Sequence, residues 1–488
     1  MTDERGFIGP YAAGPPAKAL RVVAPSLTWF GWRELVRTVE IGLVLWSMII
    51  WAVLGQLVRR PATVLRLHEP GSDGRQALAK AASTGIVDAL MALGPTYVKF
   101  GQMIASSPGM FPASLADACL RTLDDVPPFP AAEALAMVEE DLGAAAEEVF
   151  ASFDPAPLSA ASIAQVHACV LRDGRAAVLK IQRPAIAARM NRDLRILYRI
   201  ARLVDHSERG HLMNMPGVVE DLHQVTNEEL NFALEAHRQA AFRDHIGDFG
   251  DNKWITAPEV YWDFCGPRVI CMERMFGTPM DRFDELRARG IDGELVLRRG
   301  VKVWMEAALV HGPFHGDVHA GNLWVLDDGR AAYLDFGIMG ELPEAHRQAV
   351  WDAQYTMSID RDYTRIVRAW QRIGILGEDV GPIEEVAARL KMVVDPMLEL
   401  KLGEVSVAET FRQQIELQQE FGARAVRELV LLTKQMMYFE RYAKELAPDY
   451  NMSTDLFLVQ NVFPAEVEQL ADERGLAFPD DSVPNVRR

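Results

Sequence analysis

The stretch His315–Gly337, HGDVHAGNLWVLDDGRAAYLDFG, sets two histidines, two isolated aspartates and an asparagine around the dipeptide Asp328-Gly329. Asp-Gly between two short apolar runs is a strong local signal for a β-hairpin, because glycine accepts the positive φ of the turn. Two chemistries compete for the polar residues. His315, Asp317 and His319 alternate along an extended segment and present one side to a metal ion. A hydrolytic metal site needs further ligands and a partner motif, and the sequence supplies no obvious one.

The other reading uses different atoms. His315-x-Asp317-x-x-x-x-Asn322 has the spacing of a phosphoryl-transfer catalytic loop, and Asp335-Phe336-Gly337 follows one hairpin later. In that chemistry one carboxylate orients or deprotonates the acceptor, while an amide and a second carboxylate hold Mg²⁺ against the phosphates of ATP. Asp-Phe-Gly alone arises often by chance. Both motifs, in order and joined by a hairpin, carry far more weight.

Such a site also needs an upstream strand lysine paired to a helix glutamate. HACVLRDGRAAVLKIQ, residues 167–182, is a second hairpin turning at Asp173-Gly174, and Lys180 lies on its outgoing strand among apolar neighbours. An isolated strand lysine is ordinarily solvated, so its position carries the functional reading. The glutamate comes from the helix NEELNFALEAHRQAAF, where Glu228, Glu229 and Glu235 compete. No glycine-rich loop precedes the hairpin. Its place is taken by Ala160-Ala161-Ser162-Ile163-Ala164, whose backbone N–H groups can face an anion although Cβ atoms restrict positive φ.

Composition narrows the classes. A chain of 488 residues exceeds a single core, so at least two lobes are expected. The net charge of −17 argues against general nucleic-acid binding, which needs a basic face. Cys119, Cys169, Cys265 and Cys271 are far apart with no Cys-x-x-Cys pair, so neither a zinc knuckle nor a disulfide framework follows. Residues 41–58, IGLVLWSMIIWAVLGQLV, run without a charge between Glu40 and Arg59. They form either a membrane-contacting helix or a buried one.

Helical periodicity covers 31–149, interrupted at 106–113 and at Pro127-Pro128-Phe129-Pro130; RVICMERM at 268–275 is a further strand candidate, and helix resumes after 341. The expected layout is a flexible tail at 1–30, an apolar helical segment at 31–85, a helical extension at 86–150, a small lobe at 151–275, a helical large lobe at 276–450 and a C-terminal tail at 451–488. This is an α+β reading.

With these elements in order, the chain resembles the UbiB/ABC1/ADCK family of atypical kinases (AarF-type), over residues 90–445. The likeness rests on Lys99-Phe100-Gly101-Gln102, the Ala-rich loop, Lys180, the helix bearing Glu229 and Glu235, and the paired motifs at 315–322 and 335–337. It implies a protein-kinase-like bilobal fold with an N-terminal helical extension over the site. It further implies binding of ATP and Mg²⁺, and ATPase-type activity serving isoprenoid quinone or other lipid metabolism on the cytoplasmic side of a membrane. Small-molecule or lipid kinase activity, or a nucleotide-sensing pseudokinase scaffold, are the alternatives. By the resemblance Lys180 contacts the α/β phosphates and pairs with Glu235, Asp317 is the catalytic aspartate, and Asn322 and Asp335 hold magnesium. Met272 to Met275, including Glu273, form the adenine hinge, and Lys99 and Gln102 point into the nucleotide cleft from one helix face. Implied partners are a quinone precursor or membrane lipid, lipid-biosynthesis enzymes and a second copy of the chain. One departure stands out: the family pattern Glu-x-Asp reads Glu229-Leu230-Asn231. Residues two apart point about 200° apart on a helix, so both face one way only where the helix begins or distorts.

Overall fold

The computed structural model describes residues 7–59, 73–105, 112–123, 128–207, 214–377, 381–399, 401 and 427–486. The loop expected at 106–113 and the proline run at 127–130 are therefore described only from 112 and from 128. The fold is α+β, in two compact units: Met1–Leu234 with Tyr261–Met272, and Glu235–Val260 with Glu273–Arg488. The strands described are β1 (Phe150–Ala160), β2 (Ala164–Leu171), β3 (Ala176–Gln182), β4 (Ile255–Thr256), β5 (Val269–Glu273), β6 (Gly277–Pro279), β7 (Pro313–His315), β8 (Leu323–Leu326), β9 (Ala331–Tyr333) and β10 (Met339–Glu341). They form sheets of order β1-β2-β3-β5, β4-β9-β8-β6 and β7-β10.

In the first unit, α1 (Trp32–Arg59), α2 (Asp73–Leu93), α3 (Pro95–Ala105), α4 (Ala113–Cys119) and α5 (Ala131–Leu142) precede the sheet. α1 and α2 approach closely because Gly85 has no side chain; a Cβ there would lie 2.8 Å from the Ile49 Cα. Gly94, at φ +102°, turns the chain so that Pro95 can open α3. α6 (Ile186–Val204) and α7 (Met215–Glu229) complete this core, where Leu93, Tyr97 and Ile104 meet Leu194 and Leu222.

α1 leaves much of its apolar surface open. Its buried side carries Glu34, Arg37 and Ile41, with Arg37 bound to Asp193 at 2.9 Å and to the Leu93 carbonyl at 2.8 Å. Its open side carries Trp46 and Trp51, 70% and 74% exposed, with Leu43, Leu54 and Val58 beside them. The alternative of an ordinary buried helix is thereby overturned, since a core helix hides its apolar stripe. Residues 7–28, expected as part of a loose tail, are pinned by hydrogen bonds from Gly9 to the Asp263 carbonyl and from Asn231 to that of Ala19.

The β2–β3 hairpin turns at Gly174, φ +90°, as its Asp-Gly signal requires. β1 was not expected. Pro155 and Pro157 break its row of donors, and it lies at the sheet edge, where missing N–H groups leave no partner unsatisfied. The single glutamate-bearing helix of the sequence reading is two helices: α7 ends at Glu229 and α8 (Phe232–Gly247) starts anew. Asn231 makes the joint by accepting the Leu234 N–H on its Oδ1 at 3.1 Å.

In the second unit, α9 (Phe283–Ala288) and α10 (Gly293–Glu306) lead to β7, and the β8–β9 hairpin turns at Gly329, φ +88°. α11 (Glu344–Tyr355), α12 (Tyr363–Arg372), α13 (Ile383–Leu398), α14 (Arg427–Leu446) and α15 (Pro464–Arg474) follow. Trp304, Phe314, Phe336, Phe439 and Tyr442 anchor the core. The expected C-terminal tail is part of it: Leu456, Phe457, Val459 and Phe463 are buried, and Arg299 reaches Asp480 and Val483 carbonyls and the Asn485 side chain. The apolar run LFLV is too short for a periodicity signal and is held by 3₁₀ turns.

Candidate active site

The first unit carries one set of the anticipated residues. Lys180 occurs opposite Val166 in the β2–β3 ladder, 7% exposed, with its ammonium 5.7 Å from the Phe232 ring centroid. The Ala-rich loop joins β1 to β2 as a tight turn closed by the Ala161 N–H on the Ala164 carbonyl at 2.8 Å. Arg183 fastens it from outside, donating its backbone N–H to Ile163 and its guanidinium to Ala161. Ala160, Ala161 and Ser162 keep contact with solvent, whereas Ile163 and Ala164 are buried. Gln165 then exchanges two hydrogen bonds with the Phe129 backbone, tying the loop to the helical extension.

Lys99 and Gln102 both lie on α3. The Lys99 ammonium forms an ion pair with Glu229, the last residue of α7, and both side chains are nearly buried at 12% and 10% exposure. Of the three glutamates weighed as partners for Lys180, Glu229 is therefore engaged by Lys99. Asn231, at the position of the family's second acid, turns to the Ala19 carbonyl and the start of α8, so the clamp on α3 runs through Glu229.

The second unit carries the catalytic-loop set. His315 is fully buried, its Nδ1 accepting the Asp317 N–H at 3.2 Å and its Nε2 facing the Leu334 carbonyl at 3.0 Å. These partners fix the tautomer with the proton on Nε2, and burial holds the imidazole below its ordinary pKa, keeping it neutral. Both ring nitrogens are engaged. His315 is a strut between the catalytic loop and the β9 strand end, and the His315/Asp317/His319 metal reading fails.

Asn322 donates its Nδ2 to the Asp317 carbonyl at 2.9 Å, so the oxygen of its amide is the atom it could offer to a metal ion. Asp335 adopts φ +57°, a left-handed conformation that aspartate tolerates better than most residues. Its Oδ1 accepts the Gly337 N–H at 3.2 Å, while Phe336 inserts between Phe242 and His315 with centroids 5.2 and 5.1 Å away. Glu235 lies in the first turn of α8, 1% exposed. Glu273 ends β5 with its carboxylate on Arg243 at 3.2 Å, so adenine recognition there and at Met275 would fall to backbone groups.

Three residues that hold this loop were not anticipated. Lys434 of α14 places its ammonium 3.0 Å from Asp317 Oδ1. Gln435, fully buried, donates to the Gly316 carbonyl at 2.7 Å and accepts the Val318 N–H at 2.9 Å, and Tyr442 donates to the Val318 carbonyl at 2.8 Å. Each is over a hundred residues from the loop it holds. Only the helical repeat that turns 434, 435 and 442 toward one side offered any signal.

Comparison with known proteins supplies the family context. Residues 121–370 match the ABC1 atypical kinase-like domain, and 390–451 match the UbiB helical domain. The chain is 40% identical over 363 residues to an uncharacterized protein of Mycobacterium tuberculosis, covering 74% of each. It is 31% identical over 372 residues to the probable protein kinase UbiB of Azotobacter vinelandii, covering 75% of this chain and 68% of that one. An uncharacterized aarF domain-containing protein kinase of Arabidopsis thaliana, chloroplastic, is 31% identical over 388 residues, 74% and 72% of the two chains.

Proposed function

The chain belongs to the UbiB/ABC1 family of atypical kinase-like proteins, and on that premise we propose that it binds ATP with Mg²⁺ and cleaves its γ-phosphoryl group. The cycle would serve isoprenoid-quinone or other lipid metabolism at a membrane. The observation that carries this reading is Asp335, a non-glycine residue kept in the left-handed region at the Asp-Phe-Gly turn. Backbone held in a sparsely populated conformation is a mark of a functional position.

The donor set fits magnesium. The Asp335 carboxylate and the Asn322 amide oxygen are hard oxygen ligands of the kind magnesium takes alongside waters and phosphate oxygens. Magnesium bound there would screen the phosphate charge. Asp317 orients the attacking water or hydroxyl through its carboxylate, and Lys434 beside it supplies a cation where negative charge grows. By the family resemblance Lys180 and the backbone of Ala160–Ala164 would receive the phosphates, Glu235 would be the lysine's partner and Glu273–Met275 would take the adenine edge.

Lys99 is spoken for by Glu229, which supports restraint over catalysis for the Lys99-Phe100-Gly101-Gln102 element. The open apolar side of α1 would seat the protein on the cytoplasmic face of a membrane, lying in the interface because its other side is bolted to α2 and α6. The deciding experiment is ATP turnover with and without anionic liposomes and a quinone-precursor mimic, on wild type and Asp335→Asn. Turnover and MgATP affinity should collapse in the variant while metal-free nucleotide binding persists. Equal nucleotide affinity with and without Mg²⁺ in wild type would sink the proposal.

A further inference from the structure

The second unit holds a cluster of metal-ligating groups that the nucleotide chemistry does not use. His245 lies in the last turn of α8, Asp248 follows three residues later, and His311 comes from the far end of the segment after α10. One donor atom from each lies within 4.8 Å of the other two. His311 ends a single π-helical turn, Ala307–His311, closed by the Gly312 N–H on the Ala307 carbonyl at 2.8 Å, with Gly312 at φ +106°. Such turns are rare and gather at functional sites.

At His311 the donor open to a ligand is Nδ1, because Nε2 is shut off from solvent. Its Nδ1 stands 3.6 Å from Asp248 Oδ2, too far for a hydrogen bond. It is close to the roughly 3.3 Å that separates two ligands on one tetrahedral zinc with bonds of about 2.0–2.1 Å.

We propose that His245, Asp248 and His311 form a binding site for a borderline divalent transition metal of the zinc class, with an open fourth position for water. Two imidazoles and one carboxylate are the donor set such ions prefer, and magnesium, which avoids nitrogen ligands, would be rejected. The rings of His245 and His311 lie parallel, 4.3 Å apart with 6° between their planes. An ion must lie in the plane of each imidazole it binds, so capture requires His245 to rotate out of the stack. Its partly exposed position on the final helical turn allows that. Asp248, half exposed, provides the entry side.

The ion would clamp the end of α8, which carries Glu235, to the turn that leads through β7 into His315 and Asp317. Zinc binding at this site does not require that the chain hydrolyse ATP. Isothermal titration of the full chain with zinc chloride, in excess Mg²⁺, tests it. Wild type should bind one equivalent saturably, and His245→Gln or Asp248→Asn should weaken binding by at least about tenfold. These two side chains are part-exposed, so both variants should fold, which circular dichroism checks. Asp317→Asn should leave zinc binding intact. No saturable binding in wild type, unchanged binding in both ligand variants, or loss only with Asp317→Asn would each overturn the site.

Discussion

Replacing Lys434 with glutamine removes one charge from beside Asp317 and little volume. At 3.0 Å the pair attracts by about 5 kcal/mol if the effective dielectric is ~20. That is an upper bound, because the two side chains are 39% and 20% exposed, and solvent screening brings the ground-state contribution nearer ~1 kcal/mol. The transition state adds charge on the transferring phosphoryl oxygens, where a fixed cation is worth more than in the resting enzyme. A total loss of about 1.5–3 kcal/mol corresponds to roughly a ten- to hundredfold fall in kcat. KM for MgATP should move by less than about twofold, since the effect is confined to charge that develops during reaction.

Lys434→Arg keeps the cation and should recover most of the rate, which a purely structural role for the side chain would not predict. The assay is phosphate release on liposomes, paired with nucleotide affinity by a fluorescent analogue and with a melting curve to confirm folding. A Lys434→Gln protein that is folded and turns over at the wild-type rate refutes the role. So does one that turns over faster, which would mean that Lys434 holds Asp317 out of use.

Breaking the α3 clamp is the next expectation. Lys99→Ala and Glu229→Gln should both keep nucleotide binding and gain autophosphorylation, because each removes one half of the same ion pair. Loss of all turnover in folded Lys99→Ala would show Lys99 to be catalytic. For the membrane, Trp46→Ser with Trp51→Ser deletes two exposed indoles, each worth about 2 kcal/mol when withdrawn from water, so liposome co-sedimentation should weaken by well over tenfold. Unchanged pelleting would place the contact elsewhere. Acid should destabilise the fold: His167, His223, His311 and His315 are all pushed below the ordinary 6.5 by burial. The unfolded chain then binds more protons, so stability is full above about pH 6.5 and declines below it. Melting midpoints that stay level or rise from about pH 7.5 to 5.5 would contradict this.

The parts of the fold that were legible were those with local causes. Asp173-Gly174 and Asp328-Gly329 force their hairpins through the turn itself, and the spacing of Asp317, Asn322 and Asp335 is a property of one contiguous stretch. What escaped the sequence depended on distant partners. β1 is a strand because β2 pairs with it, despite Pro155 and Pro157. The break between α7 and α8 hides in NEELNFALE, which has no glycine or proline to announce it, and is set by Asn231 capping the second helix. α1 could not be sorted into membrane or core by its apolar length. The decisive facts are Glu34 and Arg37 turned inward to Arg195 and Asp193 on α6.

The same distance effect decides what holds Asp317 in place. Gly316, Asp317 and Val318 lie in a short connection between β7 and the turn at Ala320–Asn322, with few groups of its own to fix it. α14 supplies the fixing. Gln435 satisfies the Gly316 carbonyl and the Val318 N–H, Tyr442 satisfies the Val318 carbonyl, and Val318 itself is fully buried. A buried polar backbone group stripped of its partner costs about 1–3 kcal/mol, so losing α14 would expose the loop to a penalty of about 3–9 kcal/mol. That is comparable to the whole stability of a typical domain, about 5–15 kcal/mol. The loop would rearrange before it bore such a cost, carrying Asp317 away from Asn322, whose amide is tied to the Asp317 carbonyl. The C-terminal helical segment is therefore no appendage to a self-sufficient kinase-like core. It is the floor of the loop that carries Asp317, and Lys434, one residue before Gln435, is the charge that this floor places beside the Asp317 carboxylate.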